Sequence, residues 1–132
     1  MRITADTNIL VRAVVRDDEA QADAAANLLR QADIIAVPLP CLCELVWVLR
    51  RFYRIGTADI ASAIEALLGA GNVVVNRPAA EAGLAALKAG GDFADGAIAH
   101  EGAWLGGEVF ISFDKAAVSL LSALGRPAQL LA

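Results

Sequence analysis

The sequence predicts an α/β fold in which a short, mostly parallel sheet is flanked by helices. Short β-branched runs alternate with longer segments rich in alanine and leucine along the chain, as in parallel strands joined by helices. Of the 132 residues, 58% are hydrophobic and the mean hydropathy is +0.56, so the chain can bury a large core. We therefore expect a single folded domain over residues 1–132.

Five short apolar runs are predicted to be strands of the kind found in parallel sheets. They cover residues 2–5, 34–37, 73–75, 109–111 and 128–131. Helices are predicted between them, because aspartate, threonine or proline stands where several of these segments begin. The predicted helices cover about residues 18–31, 40–54, 57–69, 78–88 and 93–104, and further helices begin at Asn8 and Lys115.

Composition excludes several classes of protein. The net charge of −4 argues against a protein that coats nucleic acid non-specifically. No apolar run reaches the roughly 18 residues of a membrane span, and we expect a cytoplasmic protein. Cys41 and Cys43 point in different directions on a predicted helix, and the chain has 1 histidine, so we expect small buried thiols rather than a zinc site.

Four acidic residues stand in apolar surroundings. Asp6 and Asp114 each follow a predicted strand, while Glu44 and Asp95 lie in apolar helix segments. An unpaired buried carboxylate costs several kcal/mol, so we expect a compensating partner for each. Taken singly, each acid has a structural explanation as a salt bridge or helix cap: Asp114 can cap the following helix, and Asp6 can pair with Arg12.

Taken together, the four acids favour a site. The carboxyl ends of parallel strands line one crevice, and helix N-termini point there with the positive ends of their dipoles. A group of carboxylates without matching bases suits a hard divalent cation such as magnesium or manganese, which commonly meets a phosphate. The residues therefore indicate metal-dependent phosphodiester chemistry.

The motifs that carry these acids, ADTNILVR, ELVWVLRRF, FADGAIA and ISFDKAA, resemble in order and spacing the four acidic motifs of the PIN domain, especially in VapC-type ribonuclease toxins. The resemblance implies a three-layer fold, with Asp6, Glu44, Asp95 and Asp114 as the catalytic and metal-binding acids. It also implies Thr7, Asn8 and Ser112 as hydrogen-bonding partners of those acids. The chain departs from the family pattern at Ser112, where threonine is frequent, and at Gly96, where a bulkier small residue is common.

The resemblance further implies a magnesium- or manganese-dependent endoribonuclease that acts as the toxin of a toxin–antitoxin pair. Its expected partners are an RNA substrate, a second copy in a homodimer, and a VapB-like antitoxin. The predicted helices over residues 40–54 and 57–69 also carry more apolar residues than one small core readily absorbs, which favours self-association. We expect the antitoxin's C-terminal segment to cover the helices around Trp47 and Phe52 and to place a basic residue near Glu44 and Asp95. The alternatives are a housekeeping PIN nuclease and a catalytically silent PIN-fold binding module.

Other functional classes fit less well. A haloacid dehalogenase-type phosphotransferase needs a second aspartate where this chain has Asn8, and a P-loop is absent. A metal-free mechanism with two histidines is excluded, since His100 is the 1 histidine present. We expect His100 to be a partly exposed helix residue and Asp92 to be a helix cap rather than an extra metal ligand.

A basic strip follows Glu44 on the same predicted helix. It consists of Arg50, Arg51 and Arg54. This strip either guides RNA phosphates towards the acids or is the solvated end of a helix whose C-terminal dipole favours cations. Trp47 is expected in the core or at a partner interface rather than as a platform for stacking bases.

Overall fold

The computed structural model describes residues 1–132 as five strands and seven helices. They form two compact units, Met1–Arg77 and Pro78–Ala132. Parallel strands alternate with helices in both, which confirms the α/β class. The strands pair as two separate parallel sheets, of three and of two strands, where the sequence predicted one.

The first unit contains the three-stranded sheet. Its strands are β1 (Arg2–Thr4), β2 (Ile34–Ala36) and β3 (Val73–Val74), in the order β1-β2-β3. β2 pairs with both neighbours, and the amide of Ala5 extends the β1 ladder by donating to the Ala36 carbonyl at 3.0 Å. Pairing with β2 therefore continues to the residue directly before Asp6, so the sheet fixes where Asp6 lies.

Four helices complete this unit: α1 (Thr7–Val14), α2 (Glu19–Gln31), α3 (Leu39–Arg51) and α4 (Thr57–Gly69). Asp6 and Asp18 are the N-caps of α1 and α2. α3 ends before its predicted limit, since Arg54 has φ 55°, a left-handed conformation that cannot continue a helix. Thr57 was expected to cap α4, but Gly56 is the cap and Thr57 is the first helical residue.

The apolar faces of α3 and α4 are largely used within the fold. We expected these helices to leave surplus hydrophobic surface for self-association. Most of the residues behind that expectation are instead buried: Leu45, Val46, Leu49, Ile60 and Ile64. Leu67 is half-buried, and Trp47 and Phe52 are exposed because they face away from the core.

A polar network ties the end of α3 to the segment between α1 and α2. Asp17 accepts hydrogen bonds from the Tyr53 hydroxyl at 3.0 Å and from Arg12 Nη1 at 2.9 Å. The Tyr53 bond is the main reason that the pKa of Asp17 is lowered, and Arg12 adds to it. The predicted pairing of Asp6 with Arg12 is therefore wrong, since Asp17 is the partner of Arg12.

The second unit contains the paired strands β4 (Phe110–Ser112) and β5 (Ala128–Leu130). Its helices are α5 (Arg77–Lys88, whose first residue belongs to the first unit), α6 (Phe93–Trp104) and α7 (Lys115–Ala123). Its largest buried side chains are Phe93, Leu87 and Leu121. α6 has the bounds that the sequence predicts, because Asp92 caps its start and Gly106-Gly107 follows its end.

Two glycines allow α5 and α6 to approach closely. A Cβ added at Gly96 would lie 2.3 Å from the Ala82 carbonyl oxygen and 2.8 Å from Ala86 Cβ, and one at Gly83 would lie 2.8 Å from the Phe93 ring. Gly96 therefore departs from the family pattern for a packing reason: the backbone of α5 occupies the space that a side chain would need.

We expect Gly96→Ala to lower the free energy of unfolding by about 1–3 kcal/mol, because α5 must move to admit the methyl group. Gly102→Ala, on the same helix, is the matched control, since nothing lies within 4 Å of its added Cβ. The control should be neutral or gain up to about 1 kcal/mol from helix propensity. Urea unfolding of both variants measures the difference, and equal stabilities would contradict the close-packing explanation.

Candidate metal-binding acids

Asp6 lies at the junction of β1 and α1. Its backbone is extended, with φ −74° and ψ 155°, and its Oδ1 accepts a hydrogen bond from the Thr7 amide at 2.8 Å. The carboxylate thus satisfies one of the free amides at the helix N-terminus, where the helix dipole also favours negative charge. Asp6 is exposed, and its Oδ2 receives no hydrogen bond from the protein.

Thr7 connects Asp6 to Glu44. Its side chain is buried, and its hydroxyl donates to Glu44 Oε2 at 2.6 Å. The adjoining turn of α3 is also held beside the end of β1, because Cys41 Sγ donates to the Ala5 carbonyl at 3.5 Å. One buried threonine therefore orients two carboxylates that are far apart in sequence.

Glu44 belongs to the exposed face of α3. The opposite face is buried through Leu42, Leu45, Val46 and Leu49. The apolar segment CLCELVWVL therefore surrounds Glu44 in sequence but not in space. Its second oxygen, Oε1, receives no hydrogen bond from the protein.

Asp114 has the corresponding position in the second unit, where it caps α7 after β4. Its Oδ1 accepts from the amides of Ala116 and Ala117 at 2.9 and 3.1 Å. Ser112 supports this turn, because its hydroxyl oxygen accepts from the Asp114 amide at 2.9 Å. The predicted role of Asp114 as a helix cap is confirmed, and Oδ2 again has no protein donor.

Asp95 lies in the first turn of α6. Asp92 caps that helix by accepting from the Ala94 amide at 3.3 Å, as expected. The pKa of Asp95 is raised above the usual aspartate range, chiefly because burial removes water from its carboxylate. The negative charges of Asp92 and Asp114 raise this pKa further. Asp92 and Asp114 therefore each lie within electrostatic reach of Asp95.

The expectation that the four acids are buried is wrong for three of them. Asp6, Glu44 and Asp114 are exposed, and Asp95 is half-buried. Strand ends and helix N-termini lie at the surface, so an apolar sequence neighbourhood does not put these side chains in the core. The several-kcal/mol cost of burying a charge therefore does not apply to them, and repulsion between carboxylates remains as the electrostatic constraint.

The donor chemistry of these acids fits a hard divalent cation. None of the four forms a salt bridge with a basic side chain, and each retains at least one oxygen that no protein group donates to. Magnesium and manganese favour such oxygens. Neither unit by itself contains a preformed group of three metal-ligating side chains.

The other residues predicted for the site have different environments. Asn8 is exposed on α1, and Arg51 and Arg54 are exposed. Arg50 is half-buried and donates to Thr57 Oγ1 at 3.2 Å, so it stabilises the turn between α3 and α4.

His100 and the two cysteines are half-buried. His100 is partly exposed as expected, and its Nδ1 lies 2.8 Å from Arg126 Nη2, a contact that the sequence did not predict. Cys41 and Cys43 are free thiols and are less buried than expected.

An apolar groove in the first unit lies apart from the candidate acids. Its volume is about 640 Å³, and it is bordered by residues of α1, α2, α4 and the sheet, such as Leu10, Leu29, Ile35 and Leu67. None of the acids lines it. None of the seven helices is both long and apolar enough to cross a membrane.

Comparison with known proteins gives one result. The PIN domain family model matches residues 3–120 and so runs through the segments that carry Asp6, Glu44, Asp95 and Asp114. Neither the curated proteins nor the solved structures gave a significant match. The chain therefore belongs to the PIN domain family and has a nuclease-type fold.

Proposed function

We propose that this chain is a magnesium- or manganese-dependent endoribonuclease whose metal-binding acids are Asp6, Glu44, Asp95 and Asp114. The observation that carries the proposal is that these acids lack basic partners and each keeps an oxygen free. Membership of the PIN domain family supports the reaction class. The family match runs through both compact units, which supports treating residues 1–132 as one PIN domain.

The chain's own groups orient the carboxylates. Thr7 fixes Glu44 through its hydroxyl and Asp6 through its amide, while Ser112 and the first turn of α7 fix Asp114. The bound cation would neutralise phosphate charge and lower the pKa of a water molecule that attacks the phosphodiester. No protein nucleophile is required, which agrees with the placement of His100 beside Arg126.

We also propose that the enzyme is the toxin of a toxin–antitoxin pair, with a VapB-like antitoxin as its inhibitor. An arginine or lysine of the antitoxin would form charge-assisted hydrogen bonds with the same carboxylates. A homodimer is part of this proposal. Exposed apolar residues of the second unit support it, among them Ile111 and Phe113.

Asp6→Asn and Asp95→Asn are each expected to lower manganese-dependent cleavage of single-stranded RNA by at least about 100-fold, because a neutral amide is a poor ligand for a hard cation. Asparagine still caps helices well, so Asp6→Asn should keep its fold. Asp59→Asn, an exposed acid in α4, is the control and should retain activity. Near-normal turnover in either site variant would contradict the assignment of the acids.

The raised pKa of Asp95 means that the folded state disfavours its ionised form. Asp95 therefore lowers the free energy of unfolding increasingly as pH rises from the unfolded pKa, about 3.9, through the raised folded value. We expect Asp95→Asn to be more stable than the wild type at neutral pH in metal-free buffer. The advantage should shrink as pH falls through the folded pKa.

Thermal unfolding in EDTA at neutral and acidic pH measures this dependence on pH. Asp59→Asn should show no such gain, since Asp59 is exposed in the first turn of α4, where the helix dipole stabilises a negative charge. A variant at position 95 that is less stable than the wild type at neutral pH would show that Asp95 is a stabilising group.

The toxin role predicts a cellular effect. Production of the wild-type chain in a bacterial host without its antitoxin should stop growth, because RNA cleavage would then be unrestrained. Asp6→Asn produced to the same level should permit growth. Normal growth with a wild-type protein that cleaves RNA in vitro would favour the housekeeping nuclease instead.

A further inference from the structure

The exposed face of α3 presents an aromatic ring and an arginine beside Glu44. Trp47 lies three residues after Glu44 and Arg51 four residues after Trp47, so all three fall within about 60° of the helix circumference. Along the axis the two steps are about 4.5 and 6 Å. Each of the three residues is exposed, although α3 is otherwise well packed.

Trp47 is unused by the fold. Its relative exposure is 62%, and it forms no ring contact or hydrogen bond within the protein. The Phe52 ring, which is also exposed, instead packs edge-on against Tyr53 at a centroid distance of 4.9 Å. Trp47 was expected in the core or at a partner interface. Its exposure excludes the core, and its ring is available to an external ligand.

The charge beside Trp47 indicates what kind of ligand fits. Arg51 forms no hydrogen bond or ion pair, in contrast to Arg50, which donates to Thr57. Arg54 is also exposed, just beyond the helix. Two unpaired arginines, one on this face and one just beyond the helix, favour a polyanion over a basic peptide as the ligand of a protein with net charge −4. They also disfavour a second copy of this face, because like charges would meet.

We propose that this face, consisting of Trp47 and Arg51, is the binding track for single-stranded RNA that leads to Glu44. A nucleobase stacks on the Trp47 ring, and Arg51 binds a backbone phosphate. Every base has a flat face, so stacking of this kind tolerates any sequence, and it requires an unpaired base. The proposal rests on the proposed function for the role of Glu44 and assigns Trp47 and Arg51 to positioning of the substrate.

Fluorescence tests the stacking directly and without cleavage. The chain has 2 tryptophans, so Trp104→Phe leaves Trp47 as the only one. In EDTA, a short oligouridylate should quench Trp47 emission in a saturable way. An abasic ribose-phosphate oligomer of the same length should quench much less. Equal emission with and without oligouridylate would overturn the proposal, whether or not the protein proves to be a nuclease.

Cleavage kinetics test the contribution to substrate binding. Trp47→Leu should raise KM for single-stranded RNA by roughly 5- to 150-fold, because the variant loses a stacking contact that contributes to substrate binding. The contact does not take part in the chemical step, so kcat should change little. Trp47→Phe should keep KM close to the wild-type value, because the phenylalanine ring can still stack on a base. Trp104→Leu is the matched control, because Trp104 is 82% exposed on α6 and lies outside the proposed track, and it should behave as wild type.

The salt dependence tests Arg51. Arg51→Gln should weaken oligouridylate binding and reduce the slope of log K against log salt by about 0.7, the value for one phosphate contact on a single strand. Arg30→Gln is the matched control, because it also removes an exposed arginine, in this case from α2, and it should leave the slope unchanged. Glu65→Gln is unsuitable as a control, because it removes a negative charge.

The outcomes separate this inference from the proposed function. If the wild-type protein cleaves RNA and Trp47→Leu has the same KM, the proposed binding track is wrong and the assignment as a nuclease stands. Quenching by oligouridylate in a chain without cleavage would support the track and count against the nuclease. A Trp47→Leu variant that keeps the wild-type KM but changes its oligomeric state would show that this face binds a protein instead.

Discussion

The hydrogen bond from the buried Thr7 hydroxyl to Glu44 is the interaction on which the geometry of the first unit's acids depends. A buried hydroxyl needs a partner, so this bond constrains the rotation of α3 relative to α1. The same residue donates its amide to Asp6. The two carboxylates are thereby placed by one small side chain, and the orientation of the exposed face of α3 follows from the same constraint. Trp47 and Arg51 share the exposed face of α3 with Glu44, opposite the face that is buried.

The second unit uses a different means to orient its acids. Asp92 and Asp114 are caps, so their carboxylates are held by backbone amides at helix N-termini. Asp95 has no such donor and instead carries the electrostatic cost, seen in its raised pKa. A cation would relieve this crowding, whereas a basic side chain from within the chain would remove it permanently. Because the chain supplies no such base, these carboxylates lack a positive partner. This arrangement favours metal binding and lowers the stability of the metal-free protein.

The surface of α3 combines two opposite charges within two helical turns. Glu44 would attract a cation, and Arg51 would attract phosphate. An enzyme that cleaves a polyanion with a metal ion needs both, because the substrate must be drawn towards a site that is itself negative. Under the proposed function, Arg51 would serve this purpose in a protein whose overall charge is negative.

Sequence alone determined the α/β class, most helix and strand positions and the family, because these depend on local composition, spacing and turn chemistry. It predicted Asp114 as a cap and α6 over residues 93–104, both local features. Tertiary structure decided the exposure of the acids, the partner of Arg12, the division of the strands into two sheets and the exposure of Trp47. Each of these depends on which segments meet in space. An apolar sequence neighbourhood cannot distinguish a buried helix face from the exposed stripe on its other side, and for Trp47, expected in the core or at a partner interface, the structure excludes the core.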